Sequence, residues 1–443
     1  MLGIVFGQSC ASNNNNKPVS SSSDAGNHVG TDGAVTPLPS SYCALPGSIV
    51  FGAQGSSVIP GAPADAGTDL SWVTLPAGFC AHAFATLGHV RQMRFAPGGD
   101  LFATSPTTPT AGGNSLAGTG TISIFPDDDG DGYSDGTVVY MGSLASTQGI
   151  LFANNALYYQ DDATIRSVPF KAGDRSPSGD PVEVTTITAP QDEVHWTKVM
   201  DQARDGTIYV TNGGSQEDEC LSTDPVRGSI YAVTDGGGNT LVAKGFRNPI
   251  ALRCEPDHDV CLAIELGLDY SGFHNGREKV VPVRPGDNWG FPCCATANLP
   301  YEGVIYHDTG DAPDCGTVAA EDDSFVIGQT PFGLDFETGK WPAPWTNRIF
   351  ITLHGAAGTW EGAGIVASQT DPDSGAPLLA SDLGDGGGPT PTSLLTFAGG
   401  WDDNKQDHGR PAAVAFSPDG RMFVGDDING VIFWVAPVGL QRP

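Results

Sequence analysis

The sequence predicts an all-β fold, a six-bladed β-propeller of four-stranded antiparallel blades. Three observations carry that expectation. Glycine (60) and proline (34) are abundant in the 443 residues, while helical periodicity is scarce, and many short strands joined by tight turns explain both. One hairpin theme, an alternating apolar strand, an Asp-Gly-like turn and a second strand, recurs six times. The copies lie at intervals of roughly 50 to 80 residues, the length of a four-stranded unit that needs neighbours on both faces.

The elements follow in chain order. Residues 1–10 (MLGIVFGQSC) form a short apolar run that resembles the end of a bacterial lipoprotein signal, with Cys10 as the lipid-bearing residue. Residues 11–40 are rich in Asn, Ser, Gly and Pro and read as a flexible polar tether. The propeller is expected over 41–443. Its hairpins are RQMRFAPGGDLFATS (91–105), GILFANNALYYQD (149–161), KVMDQARDGTIYVTNGG (198–214), IALRCEPDHDVCLAIE (250–265), FGLDFETGKWPAPWTNRIFITLHG (332–355) and AAVAFSPDGRMFVGDD (412–427). Most are followed by a third strand: GTISIF, ATIRSVPF, GSIYAV or GVIFWV. Residues 72–86 are expected to join VIFWV in one blade and so close the ring. Insertions around 105–120, 296–325 and 368–392 are rim loops, where a propeller places its binding chemistry. The competing architecture is a sandwich with coincidental hairpins.

A formal charge of −30, from 51 acidic and 21 basic residues, disfavours nucleic acid and anionic lipid as partners. No stretch of eighteen apolar residues is present, so membrane contact is expected only through an anchor at Cys10. The other eight cysteines, at 43, 80, 220, 254, 261, 293, 294 and 315, allow up to four disulfides and point to export, periplasmic or extracellular. Cys254 and Cys261 suit a clip across one hairpin end, and the vicinal Cys293 and Cys294 are expected to take different partners. Cys-x-x-Cys spacing is absent, which argues against thiolate zinc and attached haem.

Four phrases, EVHWTK (193–198), GFRNPIAL (245–252), PGDNWGFPCC (285–294) and GRPAAVAFSPDG…GDDINGVIFWV (409–435), resemble the glucose and sorbosone dehydrogenases that depend on pyrroloquinoline quinone (PQQ). The likeness runs in order from about residue 75 to 437. It implies oxidation of a sugar or related alcohol by hydride transfer to PQQ, with electrons passed to an external acceptor. His195 matches the catalytic His, a base suited to the hydroxyl proton. Arg247 matches the Arg that holds the quinone oxygens, and Asn248 beside it belongs to the same turn and cofactor-binding set.

The resemblance also marks departures. The glucose enzymes carry Asp immediately before the catalytic His; Val194 stands there, with Asp192 and Glu193 upstream. Arg410 matches one of two cofactor-binding arginines, Ala412 occupies the second position, and His354 stands where those enzymes use Lys. Lys198, Arg91 and Arg94 are replacement cations, while Trp289, Trp360 and Trp401 offer flat stacking surfaces. Without the resemblance, His195 reads as a packed residue, Arg247 as a partner of a carboxylate, and the tryptophans as core.

DDDGDGYSD (127–135) places Asp127, Asp129, Asp131 and Asp135 at positions 1, 3, 5 and 9 of a calcium loop. Gly132 supplies the sharp turn and Tyr133 a backbone carbonyl. Position 12 is Val138 rather than Glu, so a compact inter-strand loop replaces the helix-loop-helix site. The resemblance further implies a calcium ion beside PQQ, with Gly267 and Asp269 in IELGLDY (264–270) as ligands. Two other functions compete with oxidation. A non-catalytic, calcium-stabilised propeller would bind carbohydrate or protein at the cell surface; a lactonase-like hydrolase would need Glu, Asn and Asp ligands in the channel, for which no motif is present.

Overall fold

The fold is taken from a computed structural model. It describes residues 37–63, 68–106, 119–187, 195–214, 219–220, 228–234, 236–267, 278–301, 305–306, 314–319, 325–326, 330–355, 361–378, 394–402 and 408–443. Six antiparallel sheets form the predicted propeller. Blade 1 comprises Gln92–Phe95, Leu101–Ser105, Gly120–Phe125 and Val138–Leu144, and blade 2 Ile150–Ala153, Ala156–Asp161, Thr164–Pro169 and Val182–Thr186. Blade 3 comprises Met200–Gln202, Ile208–Asn212, Gly228–Thr234 and Gly238–Phe246, and blade 4 Asn248–Cys254, Cys261–Leu266, Lys279–Pro282 and Phe325–Val326. Blade 5 comprises Pro331–Phe336, Arg348–Leu353, Gly364–Gln369 and Leu395–Ala398, and blade 6 Pro411–Phe416, Met422–Asp426, Val431–Pro437 and Phe79–Thr86.

Local chemistry accounts for these strands. Leu101–Ser105 is buried at every position because both faces of a blade meet neighbouring blades. In the outer strand Val138–Leu144 only Tyr140 and Leu144 are buried, as expected of a partly covered edge. In blade 2 the first hairpin turns on Asn154 and Asn155, both at positive φ (51° and 56°), the conformation that a two-residue hairpin turn demands and Asn tolerates.

Hydrophobic cores fill the six inter-blade gaps. Phe102, Ile122, Leu157 and Tyr159 pack between blades 1 and 2, and Trp341, Phe350, Phe397 and Phe433 between blades 5 and 6. Each such side chain contributes about 1.5–3 kcal/mol on full burial.

Ring closure follows the expected pairing. Phe79–Thr86 lies antiparallel to Val431–Pro437, so both chain ends share one blade, and Cys80 is bonded to Cys43. The closing sheet is larger than expected: Ile49–Gly52 and Gly55–Val58 extend it to six strands. Cys254 bonds to Cys261 across its hairpin, while Cys293 and Cys294 bond to Cys220 and Cys315. Among the described residues no helix is long and apolar enough to cross a membrane.

The innermost strands run in one direction along the channel. Arg91, Lys198, Arg247 and Arg410 lie at or just before their starts, which define the upper mouth. Their ends line a lower cavity of about 610 Å³ with Phe95, Phe152, Phe336 and Phe416 in its wall. Between the mouths lies a small cavity of about 30 Å³ beside Arg91, Gln148 and Phe332.

Candidate active site

The end of one strand holds both principal candidates. Blade 3 runs from Asn212 into Gly213 and Gly214; a Cβ on Gly213 would lie 1.9 Å from the His195 carbonyl oxygen, and one on Gly214 would lie 2.4 Å from that of Arg247. The Gly214 N–H donates to that Arg247 carbonyl at 2.7 Å. Two residues without side chains therefore let a single strand end press on both backbones. His195 and Arg247 are each buried.

Gln160 fixes the segment that carries His195. Its amide oxygen accepts from the Gln148 and Lys198 N–H groups (3.1 and 3.0 Å), and its amide nitrogen donates to the Trp196 carbonyl (2.8 Å). Thr197 then donates to Asn248 at 3.3 Å, linking this segment to the Arg247 turn. The Arg247 N–H donates to Glu265 Oε1 (3.2 Å) and its Nη1 to the Gly267 carbonyl (3.0 Å). Behind it, Glu265 lies 3.6 Å from Lys279 Nζ, fully buried. Lys279 also donates to the Trp289 and Ala295 carbonyls, so its ammonium is held by hydrogen bonds in a low-dielectric setting.

A second cluster occupies the seam between blades 5, 6 and 1. Asp427 Oδ2 lies 3.5 Å from Arg410 Nη2, 3.6 Å from His354 Nε2 and 3.8 Å from Arg91 Nη1. The His354 ring stacks on Phe332 at 3.7 Å, and the Arg91 guanidinium lies 5.2 Å from the same ring. Burial, reinforced by Arg410 and Arg91, holds the His354 pKa well below the usual histidine value. Burial therefore favours the neutral imidazole of His354, in keeping with its reading as a departure from the lysine of the glucose enzymes. Burial, with the Asp427 charge, pushes Asp426 up to about 7. Arg91 Nε, His354 Nε2, Asp426 Oδ2 and Asp427 Oδ1 are buried here without hydrogen bonds. Such orphans are costly and mark a place suited to a polar ligand.

The other predicted residues separate. Arg94 points to the lower mouth, where it pairs with Asp201 at 3.3 Å, so it is removed from the candidate cations. Lys198 is fully buried, with its pKa lowered by burial to about 8. Trp289 and Trp401 sit in inter-blade cores, Trp289 with Lys279 Nζ 5.7 Å from its ring; packing places them there. The Gly267 carbonyl is engaged by Arg247, a cation where the sequence reading put calcium. Asp192, Glu193, Val194, Asp269 and Trp360 lie outside the described residues.

Asp426, Asp427, Gln160, Glu265 and Lys279 were missing from the sequence-based set. Their available signal was polar or charged residues within otherwise apolar strand phrases, such as the doublet in VGDD.

In the 127–135 loop, carboxylate oxygens of Asp127, Asp129 and Asp131 lie within 4.8 Å of one another, among the described residues the only such group of three or more candidate side-chain ligands. The Asp131 N–H donates to Asp129 and the Tyr133 N–H to Asp131. Asp135 instead accepts from the Asp128 N–H at 2.6 Å, outside that trio. Arg421 Nη1 lies 3.5 Å from Asp127.

No protein-family model matches the sequence, and no curated protein matches it. Solved structures do. A calcium structure of a Trichoderma reesei member of Carbohydrate-Active Enzymes Family AA12 superposes with TM-score 0.63 at 16% identity, covering 82% of this chain and 97% of that one. The fold is that of the sugar dehydrogenase propellers. The PQQ-bound aldose sugar dehydrogenase from Streptomyces coelicolor gives 0.52 at 16% identity, over 82% and 99% of the two chains. The soluble aldose sugar dehydrogenase from Escherichia coli, in its apo form, gives 0.55 at 13%, over 81% and 99%. Within this sugar dehydrogenase fold, the upper mouth is where His195, Arg247 and Arg410 are gathered.

Proposed function

We propose that the protein oxidises a sugar or related alcohol at its upper mouth, by hydride transfer to PQQ, and passes the electrons to an external acceptor. The observation that carries this reading is the shared support of His195 and Arg247 by Gly213 and Gly214, at the mouth that also holds the orphaned polar atoms of the Arg91–His354–Asp427 cluster. The donor set suits a flat polyanion: Arg247, Arg410 and Lys198 are cations, Asn248 is polar, and neutral His354 can donate one hydrogen bond. PQQ, when bound, supplies a two-electron acceptor.

The chain's own residues would do the rest. His195 takes the proton from the hydroxyl oxygen as the hydride leaves the carbon that bears it, so the alcohol becomes a carbonyl, or a lactone from an aldose, and the imidazolium returns the proton to solvent. Arg247, fixed by Glu265 and the Gly267 carbonyl, orients the acceptor and stabilises negative charge arising there. Asp127, Asp129 and Asp131 would hold calcium, with the Tyr133 carbonyl as a further ligand, in a structural role away from the mouth. The four disulfides support an exported, periplasmic or extracellular protein, with a lipid anchor at Cys10.

Reconstitution with PQQ and calcium, followed by aldose-dependent dye reduction, tests the reading. Turnover with at least one aldose or alcohol is expected; absence of both cofactor absorbance and turnover rejects it. One observation favours a non-catalytic carbohydrate- or protein-binding propeller instead: Asp427 already lies against Arg410. That reading predicts ligand binding without dye reduction.

A further inference from the structure

We infer that the cavity at the lower mouth binds a small aromatic carboxylate, with Arg253 receiving the carboxylate and phenylalanines from four blades lining the ring system. This site lies apart from the upper mouth and goes beyond the proposed oxidation.

Its construction repeats around the ring. Equivalent positions near the inner-strand ends hold Phe95, Phe152, Phe336 and Phe416 in blades 1, 2, 5 and 6, with Gln202 and Cys254 in blades 3 and 4. One residue earlier stand Arg94, Asp201, Arg253 and Asp335. All of them line the cavity, whose 610 Å³ falls within the roughly 300–1,000 Å³ of ligand pockets. Phe95, Phe152 and Phe416 are only half-buried, which leaves ring surface for another aromatic.

Arg253 is the exposed member of the charged set: 24% of its side chain is accessible, against 8% for Arg94, 9% for Asp201 and 4% for Asp335. Its Nε and Nη2 donate to Asp335 and its Nη1 to Asp201. A guanidinium has five N–H groups, so among the described residues one N–H on each terminal nitrogen is left, and a carboxylate supplies an acceptor for both. The acceptors nearby are already engaged. Asp201 takes the Gln202 and Cys254 N–H groups, Asp335 those of Phe336 and Phe416, and Glu255 those of Asp257 and His258. Spare donors without spare acceptors suit an acceptor-only carboxylate better than a sugar, whose hydroxyls need both. Charge agrees. Burial pushes the Asp201 carboxyl up to about 8, so at neutral pH the two guanidiniums outnumber the charged carboxylates among these four, while Glu255 and Arg204 offset each other at the rim.

The test titrates 2-naphthoate, 2-naphthamide and galactose into the full chain by calorimetry, in wild type, Arg253→Met and Thr338→Trp, with folding checked by melting temperature. Thr338 is an exposed rim residue of the cavity. Wild type is expected to bind one naphthoate, with the amide roughly ten- to a hundredfold weaker. Arg253→Met should bring naphthoate down to the level of the amide, and Thr338→Trp should weaken both by about tenfold or more. Galactose affinity should be the same in all three proteins. If Arg253→Met does not fold, the acid-to-amide ratio of wild type and the Thr338 variant decide.

The inference is overturned by absence of naphthoate binding, by equal affinity for acid and amide, by naphthoate affinity unchanged in the folded variants, or by galactose affinity that falls in them. Saturating PQQ should leave naphthoate affinity unchanged, and competition between them overturns the lower-mouth assignment. Failure to bind PQQ rejects the proposed function instead, and the variants then locate the naphthoate site by themselves.

Discussion

His195 and Asp426 illustrate what individual residues contribute at the upper mouth. Removing a general base costs on the order of 100-fold or more in rate. His195→Ala is therefore expected to lower kcat for dye-linked aldose oxidation by at least that factor while PQQ affinity stays near wild type; activity within a few-fold of wild type removes the base role. Asp426 concerns stability. Its pKa is raised by burial to about 7 from the ordinary 3.8, so between those values the folded chain keeps a proton that the unfolded chain releases. This contribution is present below about pH 4 and is lost as pH rises to 7. Asn keeps an oxygen able to accept from the Ile428 and Asn429 N–H groups and cannot ionise. Asp426→Asn should gain on wild type by about 3–4 kcal/mol between pH 4 and pH 8, read from melting curves across that range; a pH-independent difference contradicts it.

Elements show where sequence patterning works and where it stops. The six hairpins were legible because alternation and turn residues lie within one short window, as in Asn154-Asn155 and Asp419-Gly420. The hairpin Ile49–Val58 was not, since Gly55–Val58 is exposed at every position and shows no alternation. His195 and Arg247 were legible through the phrases around them, whereas the His354–Asp427 contact and the neutral state of His354 depend on packing between strands 73 residues apart in sequence and have no local signature. The role of Gly213 was equally hidden. A Cβ there meets the His195 carbonyl at 1.9 Å, so Gly213→Ala must displace one backbone or the other. It should cost about 1–3 kcal/mol of stability and lower kcat/KM at least tenfold. Gly88→Ala, where a Cβ meets nothing within 4 Å, is the matched control and should change neither measurement appreciably.

At the scale of the molecule, the ring must resist opening, and closure of blade 6 by strands from both chain ends is only part of the answer. An ionic lattice ties the inner strands together at the lower mouth. Arg94 of blade 1 reaches Asp201 of blade 3, Arg253 of blade 4 reaches both Asp201 (3.4 Å) and Asp335 of blade 5, and Asp335 accepts from the Phe416 N–H of blade 6 at 2.8 Å. Five blades thus share four ionisable side chains, among which burial pushes the Asp201 carboxyl up to about 8. The sign of the lattice's contribution depends on how it is broken. Removing a whole buried pair can be nearly neutral, but removing one partner strands the others, at about 3–5 kcal/mol. Arg253→Met leaves Asp335 without its guanidinium and Asp201 with Arg94 alone. It should lower stability by that amount in denaturant titration while kcat stays within a few-fold of wild type, because the proposed chemistry lies at the opposite mouth. Arg253→Met combined with Asp335→Leu should recover part of the loss. If the double variant is less stable than Arg253→Met alone, the stranded Asp335 charge is not the source of the cost, and the lattice holds the ring by hydrogen bonding to Phe336 and Phe416 instead.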